Sequence, residues 1–396
     1  MRLDTSAELD AFRTEVRSFI RTHAPGRKTH AGVRAPVPAL VPELRRWIAR
    51  LHDAGYLGRS WPTEYGGLDD PRPEPAFVVA EELARARAWG QIGAGALAAG
   101  ALLAHGTEEQ KRRFLPRLRS GQDLWCQLFS EPEAGSDLAG LRTRARRDGD
   151  HFVVDGQKVW TTNAQYADVG YLLARTDPGA PRTRGITAFA LDMRAPGVEI
   201  RPLREITGTA DFNEVFLDGV RIQADRVIGE VDDGWRVAGA SLAQERGSVA
   251  ARSAELLDDL SGLLALAARP GPEGLPPLGD AAVRDRLGRL ATRVYVADLM
   301  SKAVQSRMAA GTDEPTDPAM VKVFFSDTNL DAVSLGVRLQ GLDGLLTEGD
   351  DRAVDGGYWQ DALLYARAYT IAGGANEVLR TTIAERALGL PREPRP

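Results

Sequence analysis

With 396 residues, 43% of them hydrophobic, the chain is long enough to bury a sizeable core and to divide into two or three domains. A formal net charge of -5 and a pI near 5.7 exclude the basic face that non-specific nucleic-acid binding needs, so no nucleic-acid partner is expected. The single cysteine, Cys126, excludes an intramolecular disulfide and a cysteine metal cluster, and no metal site is expected.

The N-terminus is polar and charged, without an apolar signal core. The longest apolar run, Ala94–Ala104, falls well short of the roughly 20 residues that cross a bilayer. A soluble, cytoplasmic protein with no membrane partner is the expectation. Residues 1–122 read as a helical domain. Leu9, Phe12, Val16 and Ile20 share one helix face, and Leu40–Leu51 is a second helical stretch. Between them Gly26–Pro38 is a basic, Pro-containing connector expected at the surface, and Trp61-Pro-Thr-Glu-Tyr-Gly-Gly67 forms a turn. Helices follow at Ala76–Ala88 and Gln91–His105, the second rich in small residues: Gly93, Gly95, Ala96, Ala98, Ala99 and Gly100. Each interior Gly costs a helix about 1 kcal/mol relative to Ala. Such residues serve either close packing or space for a ligand. Thr107 and Gln110 form a capping box that opens the next helix.

Over residues 123–231 the period changes to alternation. Strands are predicted at Leu124–Phe129, Val169–Ala174, Ile186–Met193, Val198–Leu203 and Phe212–Leu217. His151–Thr162 reads as a hairpin with Asp155-Gly156 as its turn, and Asp218-Gly219 as another tight turn. Strands of this length and spacing indicate a small antiparallel barrel or sandwich. Residues 232–396 return to the helical period. Leu256, Leu260 and Leu263 trace one face, and Leu287, Leu290 and Val294 trace another beyond the Pro/Gly-rich loop Arg269–Asp280. Helices at about Val321–Leu339 and Trp359–Tyr369 complete the chain before Ala372-Gly-Gly-Ala-Asn-Glu-Val-Leu-Arg380.

The stretch from Trp125 to Asn163 carries the chemistry. Cys126-Gln-Leu-Phe-Ser-Glu-Pro-Glu-Ala-Gly-Ser-Asp137 ends a strand in a turn that gathers donors from Ser130, Gly135 and Ser136. Lys158-Val-Trp-Thr-Thr-Asn163 adds an indole and hydroxyls, a set suited to a flat aromatic ring system with phosphates. The two segments resemble the flavin-binding middle domain of acyl-CoA dehydrogenases, and the resemblance spans nearly the whole chain. It includes the Trp61–Gly67 turn, the His105–Pro116 segment and the C-terminal pattern. It implies an α+β fold with a helical N-domain, a β-barrel or sandwich middle domain and a C-terminal four-helix bundle.

The resemblance also implies FAD as cofactor. Phe129 and Ser130 would lie at the isoalloxazine edge, Ser136 at the pyrophosphate or substrate arm, and Trp160 and Thr162 at the ring. The helix from Asn376 offers N–H groups to a phosphate. Gly341 and Gly344 match the segment that approaches the partner subunit's FAD; just before them Arg338 stands where Gln is frequent. No Arg-x-x-Phe-Gly segment, which reaches a neighbouring subunit's FAD in many members, is present. The small residues Gly93 and Ala96 border the expected acyl pocket.

Dehydrogenating a thioester across Cα–Cβ needs a base for the α-proton, donors for the enolate-like oxygen and a hydride acceptor. General-base catalysis supplies only about 10²–10⁴-fold, so donors and acceptor carry much of the rest. Many relatives place the base in the C-terminal loop, where this chain has Gly373. Others carry it early in the C-terminal domain, which here falls on Glu245 in Ser241-Leu-Ala-Gln-Glu-Arg-Gly247. Partial burial between Leu242 and Val249 would raise its pKa into a useful range. Arg246 would brace the loop, and the Gly373 N–H would still donate to the thioester oxygen. The reading is therefore an acyl-CoA or acyl-carrier-protein dehydrogenase passing electrons to electron-transfer flavoprotein or another acceptor, as a homodimer or homotetramer. A flavin oxidase or monooxygenase, or a base-deficient subunit of a hetero-oligomer, are the alternatives.

Overall fold

The structure, a computed structural model, describes residues 6–244, 248–270 and 274–392. In chain order the helices are α1 (Ala7–His23), α2 (Val41–Asp53), α3 (Glu74–Arg85), α4 (Gly95–His105) and α5 (Glu108–Arg119). Eight strands follow: β1 (Trp125–Leu128), β2 (Arg144–Asp148), β3 (His151–Thr162), β4 (Val169–Arg175), β5 (Ile186–Asp192), β6 (Val198–Leu203), β7 (Phe212–Gln223) and β8 (Val227–Ile228). Then come α6 (Gly234–Gln244), α7 (Ser248–Ala268), α8 (Ala281–Ala310), α9 (Asp317–Leu339), α10 (Tyr358–Ile371) and α11 (Asn376–Arg386). Among the described residues, no helix is long and apolar enough to cross a membrane. The architecture is α+β: helical N-terminal segment, middle sheet, helical C-terminal segment. Contacts divide it into two compact units: Val33–Pro71 with Trp89–Arg246, and Met1–Gly32 with Arg72–Ala88 and Gly247–Pro396.

In the first of these units the eight strands join one sheet in the order β6-β7-β3-β2-β4-β5-β8, with β1 added parallel to β4. Most pairs are antiparallel, as the alternation predicts, but β1 and β2 each meet β4 in parallel. The central strands β4 and β5 are buried on both faces, which is why they read as apolar runs. Side chains of period two sort them between two cores. Val169, Tyr171, Leu173, Ile186, Ala188 and Ala190 join a cluster with α4, α5 and α6; Leu172, Ala174, Phe189 and Leu191 fill the other face with β3 and β7.

Both Asp-Gly pairs correct the expected turns. His151–Thr162 is one 12-residue strand, and the hairpin turn lies upstream, between Asp148 and its partner His151, where Gly149 is left-handed at φ 63°. Along β3 and β7 the register runs from Val154↔Val220 to Gly156↔Leu217, so Asp155 on one strand faces Asp218-Gly219 on the other as a bulge. The Asp155 carboxylate accepts the Gly219 N–H at 2.8 Å. Strand β2, Arg-Ala-Arg-Arg-Asp, gives no apolar alternation because only Ala145 turns inward.

Two N-terminal expectations also shift. Helix α4 starts at Gly95 rather than Gln91, because Gly93 is left-handed (φ 75°) and Ala94 N–H bonds the Trp125 carbonyl at 2.6 Å. A Cβ at Gly93 would stand 2.2 Å from that carbonyl oxygen, so the glycine answers a close backbone approach. The connector read as exposed buries Arg34, ion-paired to the equally buried Asp211 at 3.0 Å. The capping box at Thr107 and Gln110 is present as predicted, and the Gln110 amide also donates to the Asp225 and Val227 carbonyls.

In the other unit α7, α8, α9 and α10 share a core built on Leu256, Leu260, Leu263, Leu287, Leu290, Val294 and Phe325. The two Leu/Val faces predicted for α7 and α8 are buried in it.

The paired bulge yields a prediction. A Cβ at Gly156 would lie 2.5 Å from Thr143 Oγ1 and 2.8 Å from Thr143 Cα, so Gly156→Ala must push aside Thr143, the residue that leads into β2. It is expected to lower unfolding free energy by about 1–3 kcal/mol, and Asp155→Ala by about 1 kcal/mol. Urea denaturation measures both.

Candidate active site

The turn after β1 is organised by a buried ion pair. Glu131 closes the turn, exchanging backbone hydrogen bonds with Ala134 at 3.1 Å each way. Its carboxylate accepts the backbone N–H groups of Arg142 (2.6 Å) and Thr143 (2.8 Å) and the Lys158 ammonium (2.8 Å). Lys158, fully buried on β3, also donates to the Phe129 carbonyl at 2.9 Å. Next to it Val159 N–H donates to the Ser130 carbonyl at 2.9 Å. The two motif segments are thus tied through side chain and backbone. Burial pushes the Lys158 pKa down to about 8 although Glu131 opposes it. Burial alone would raise Glu131, but Lys158 and the donated N–H groups hold it below the usual carboxylate value.

Just past Lys158 the β3–β7 register slips again, before Thr161. Trp160 sits in the slip with φ 60°, a left-handed conformation that costs a non-glycine residue about 1–2 kcal/mol. The distortion turns the indole outward: it is 60% exposed and lies edge-to-face with Phe212, the ring centroids 6.0 Å apart. Such strain collects at ligand sites. Phe129 is buried edge-on against Tyr171 at 4.9 Å, and the Tyr171 hydroxyl reaches Ser241 Oγ on α6 at 2.9 Å. Ser241 gives its own proton to the Val237 carbonyl, so Tyr171 is the donor. Burial drives its pKa up to about 12, which keeps the proton in place.

Ser130 and Thr162 are half-buried; Gly135 and Ser136 are exposed. None of the three hydroxyls has a protein partner among the described residues, and a Cβ at Gly135 would meet nothing within 4 Å. Beyond Ser136, Asp137 is ion-paired with Arg182. Arg175 then fastens the loop ends, donating to the carbonyls of Ala139 (2.8 Å), Leu141 (3.2 Å), Arg182 (3.0 Å) and Arg184 (3.0 Å).

Ala96 is exposed on α4, whose Ala98, Ala99 and Ala101 are buried in the cluster that includes Val237 and Ala238 of α6. Close packing accounts for those small residues. Glu245 and Arg246 lie outside the described residues. In the other unit Gly373 and Gly374 are both left-handed, at φ 65° and 90°, and a Cβ at Gly373 would touch nothing within 4 Å. Asn376 is 2% exposed and its side chain is engaged inside the protein, by Lys322, Ser326 and Asp327. Arg338 is exposed at the end of α9; Gly341 is left-handed at φ 58°, and Gly344 is buried where a Cβ would meet the Val337 carbonyl at 2.4 Å.

Sequence reasoning missed Glu131, Lys158, Tyr171 and Ser241 as supports. A signal existed for Lys158: it shares strand parity with the inward Phe152 and Val154, where an unpaired ammonium is not tolerated.

Sequence profiles of the acyl-CoA dehydrogenase N-terminal, middle and C-terminal domains match residues 6–122, 126–220 and 232–388. The chain belongs to the acyl-CoA dehydrogenase family. Among its relatives are two acyl-CoA dehydrogenases of Mycobacterium tuberculosis. FadE34 is 42% identical over 378 residues, 91% of this chain and 49% of FadE34, so the chain spans about half of that relative. IpdE1 is 38% identical over 395 residues, covering 98% of this chain and 99% of IpdE1. Among solved structures, the Tcur3481-Tcur3483 steroid ACAD matches with a TM-score of 0.88 at 29% identity, over 99% of this chain and 100% of that one. The ChsE4-ChsE5 complex from Mycobacterium tuberculosis matches with a TM-score of 0.86 at 30% identity, over 99% and 100%.

Membership makes the chain a flavoprotein oxidoreductase of lipid metabolism with FAD as its cofactor. The described residues fit that group: an outward indole, three unpartnered hydroxyls and an open glycine surround one turn.

Removing the buried cation tests how the turn is held. Lys158→Met leaves the Glu131 carboxylate buried without its ammonium, with an expected loss of about 3–5 kcal/mol at pH 7. The depressed carboxylate contributes stability above its ordinary 4.5 that is lost as pH falls through its folded value. The deficit of the variant should therefore shrink on acidification, and Lys158→Met/Glu131→Gln should recover part of it at pH 7. Urea unfolding at pH 4 and 7 reads both.

Proposed function

We propose that the protein dehydrogenates an acyl thioester across Cα–Cβ, with Glu245 taking the α-proton and the Gly373 N–H donating to the thioester oxygen. What carries this reading is the tied pair of motif segments, Phe129–Asp137 and Lys158–Thr162, with its outward indole and unpartnered hydroxyls. Phe129, Ser130, Gly135, Ser136, Trp160 and Thr162 would hold the cofactor. Bound there, FAD supplies the acceptor for the β-hydride. Arg338, Gly341, Gly344 and the N-terminal end of α11 at Asn376 are assigned to the phosphate and adenine side.

The base assignment follows from position. Ser241, fixed by Tyr171, precedes Glu245 by four residues in sequence, and Gly373 offers no side chain at the alternative place. Arg246 is assigned to brace the loop, and Gly93 and Ala96 to the border of the acyl pocket. A bulky, ring-bearing acyl group is favoured because a solved neighbour that covers the whole chain is called a steroid ACAD. The thioester carrier is coenzyme A or a carrier protein, and the two electrons leave to electron-transfer flavoprotein or a like acceptor. The domain boundaries we adopt are 1–122, 123–231 and 232–396.

A second reading has a specific observation behind it. Gly373 lacks the loop carboxylate, and two solved neighbours are named as pairs of different chains. On that reading the chain is one subunit of a hetero-oligomer and turns over only with its partner. Anaerobic bleaching of the flavin by a panel of acyl-CoAs, including steroid-derived ones, decides. The purified chain should bleach, and Glu245→Gln should retain FAD while its bleaching rate drops at least 100-fold. Undiminished bleaching by the variant removes Glu245 as base, and bleaching that appears only with a second chain supports the hetero-oligomer.

A further inference from the structure

Only five of the 50 basic residues are lysines, and two of those five are buried: Lys158 at 0% and Lys322 at 6% exposure. Lys158 clamps the carbonyl of one motif turn. Lys322, on α9, clamps the carbonyl of another. Its ammonium donates to the Gly374 carbonyl at 2.7 Å and to Asn376 Oδ1 at 2.9 Å. The Asn376 amide is locked in that orientation, since Nδ2 donates to Asp327 at 3.0 Å, and Asp327 is held in turn by Arg380 at 2.7 Å.

The turn so held has little rigidity of its own. Gly373 and Gly374 are consecutive left-handed residues, and Gly373 has open space where a side chain would start. Two adjacent glycines have the largest backbone freedom to lose on ordering. We propose that Lys322 is a positioning residue, whose ammonium fixes the Gly373-Gly374 turn so that the Gly373 N–H is presented to the thioester oxygen. This rests on the role given to Gly373 under the proposed function. A compact ammonium, with donors free to rotate onto two oxygens, suits the place better than a planar guanidinium.

The charged groups facing Lys322 are Arg252 on α7, Asp327 on α9, and Glu377 and Arg380 on α11. Burial first, then Arg252, bring the Lys322 pKa down to about 8. Lys322 therefore loses its positive charge as pH rises through about 8.

The test compares the FAD-loaded full chain with Lys322→Met by hydrogen exchange and by anaerobic flavin bleaching. Exchange in the peptide spanning Ala372–Asn376 should rise about tenfold in the variant, with β3 peptides and FAD content unchanged. An N–H that acts mainly on the developing oxyanion should show in the limiting bleaching rate. That rate should fall about tenfold or more, while half-saturation by the thioester moves less than threefold. In the wild type, protection of the same peptide, corrected for base catalysis, should fall as pH passes about 8. Unchanged exchange at the turn, or an unchanged limiting rate, overturns the proposal. If Lys322→Met fails to fold, the wild-type pH series decides, and constant protection from pH 7 to 9 overturns it. Should no acyl thioester bleach the wild type, the dehydrogenase reading falls, and the exchange result still judges the anchor.

Discussion

The geometry of the turn after β1 depends on one buried ion pair, Glu131 with Lys158. A buried pair of this kind is poor evidence for stability by itself, since desolvation offsets most of the attraction. Its structural value is the number of strands and loops it fixes at once. The carboxylate takes two backbone N–H groups from the segment leading into β2, and the ammonium takes a carbonyl from the end of β1. Everything the turn presents outward, from Ser130 to Ser136, is hung from that point.

The sheet explains why the point can be buried at all. Strand β4 is covered on both faces and pairs with β1, and Lys158 on β3, donating to the carbonyl just past β1, is fully buried. Two residues further on, inside the register slip, Trp160 is turned out. A buried cation and an exposed indole two positions apart on one strand are what a rigid scaffold with an outward binding edge requires. In the other unit the same device recurs, with Lys322 fixing a glycine turn through carbonyl and amide oxygens.

Much of this was legible from residues alone. Helix faces such as Leu256-Leu260-Leu263, the Thr107 capping box and strands β4 to β6 follow from periodicity and capping chemistry, which are local. What was not legible depends on partners distant in sequence. Asp155-Gly156 carries the local signature of a turn, yet its bulge exists because Asp218-Gly219 lies opposite on β7. Arg34 reads as a surface charge until Asp211, far along the chain, is brought against it. At the candidate site Ser130, Ser136, Trp160 and Thr162 were legible as members of the two motif segments, whereas Glu131 and Lys158, which tie those segments together, were not. Supports of this kind leave no motif, only a charge at an inward strand position.

On the proposed assignment, the Glu131–Lys158 pair shapes the turn that would receive FAD rather than merely stabilising the sheet. Titrating the apoprotein with FAD, followed by quenching of flavin fluorescence, tests it most directly in the neutral double variant Glu131→Gln/Lys158→Met. The expected result is a folded protein, with an intact far-ultraviolet spectrum, that binds FAD at least tenfold more weakly than the wild type. A folded double variant with unchanged FAD affinity would contradict it.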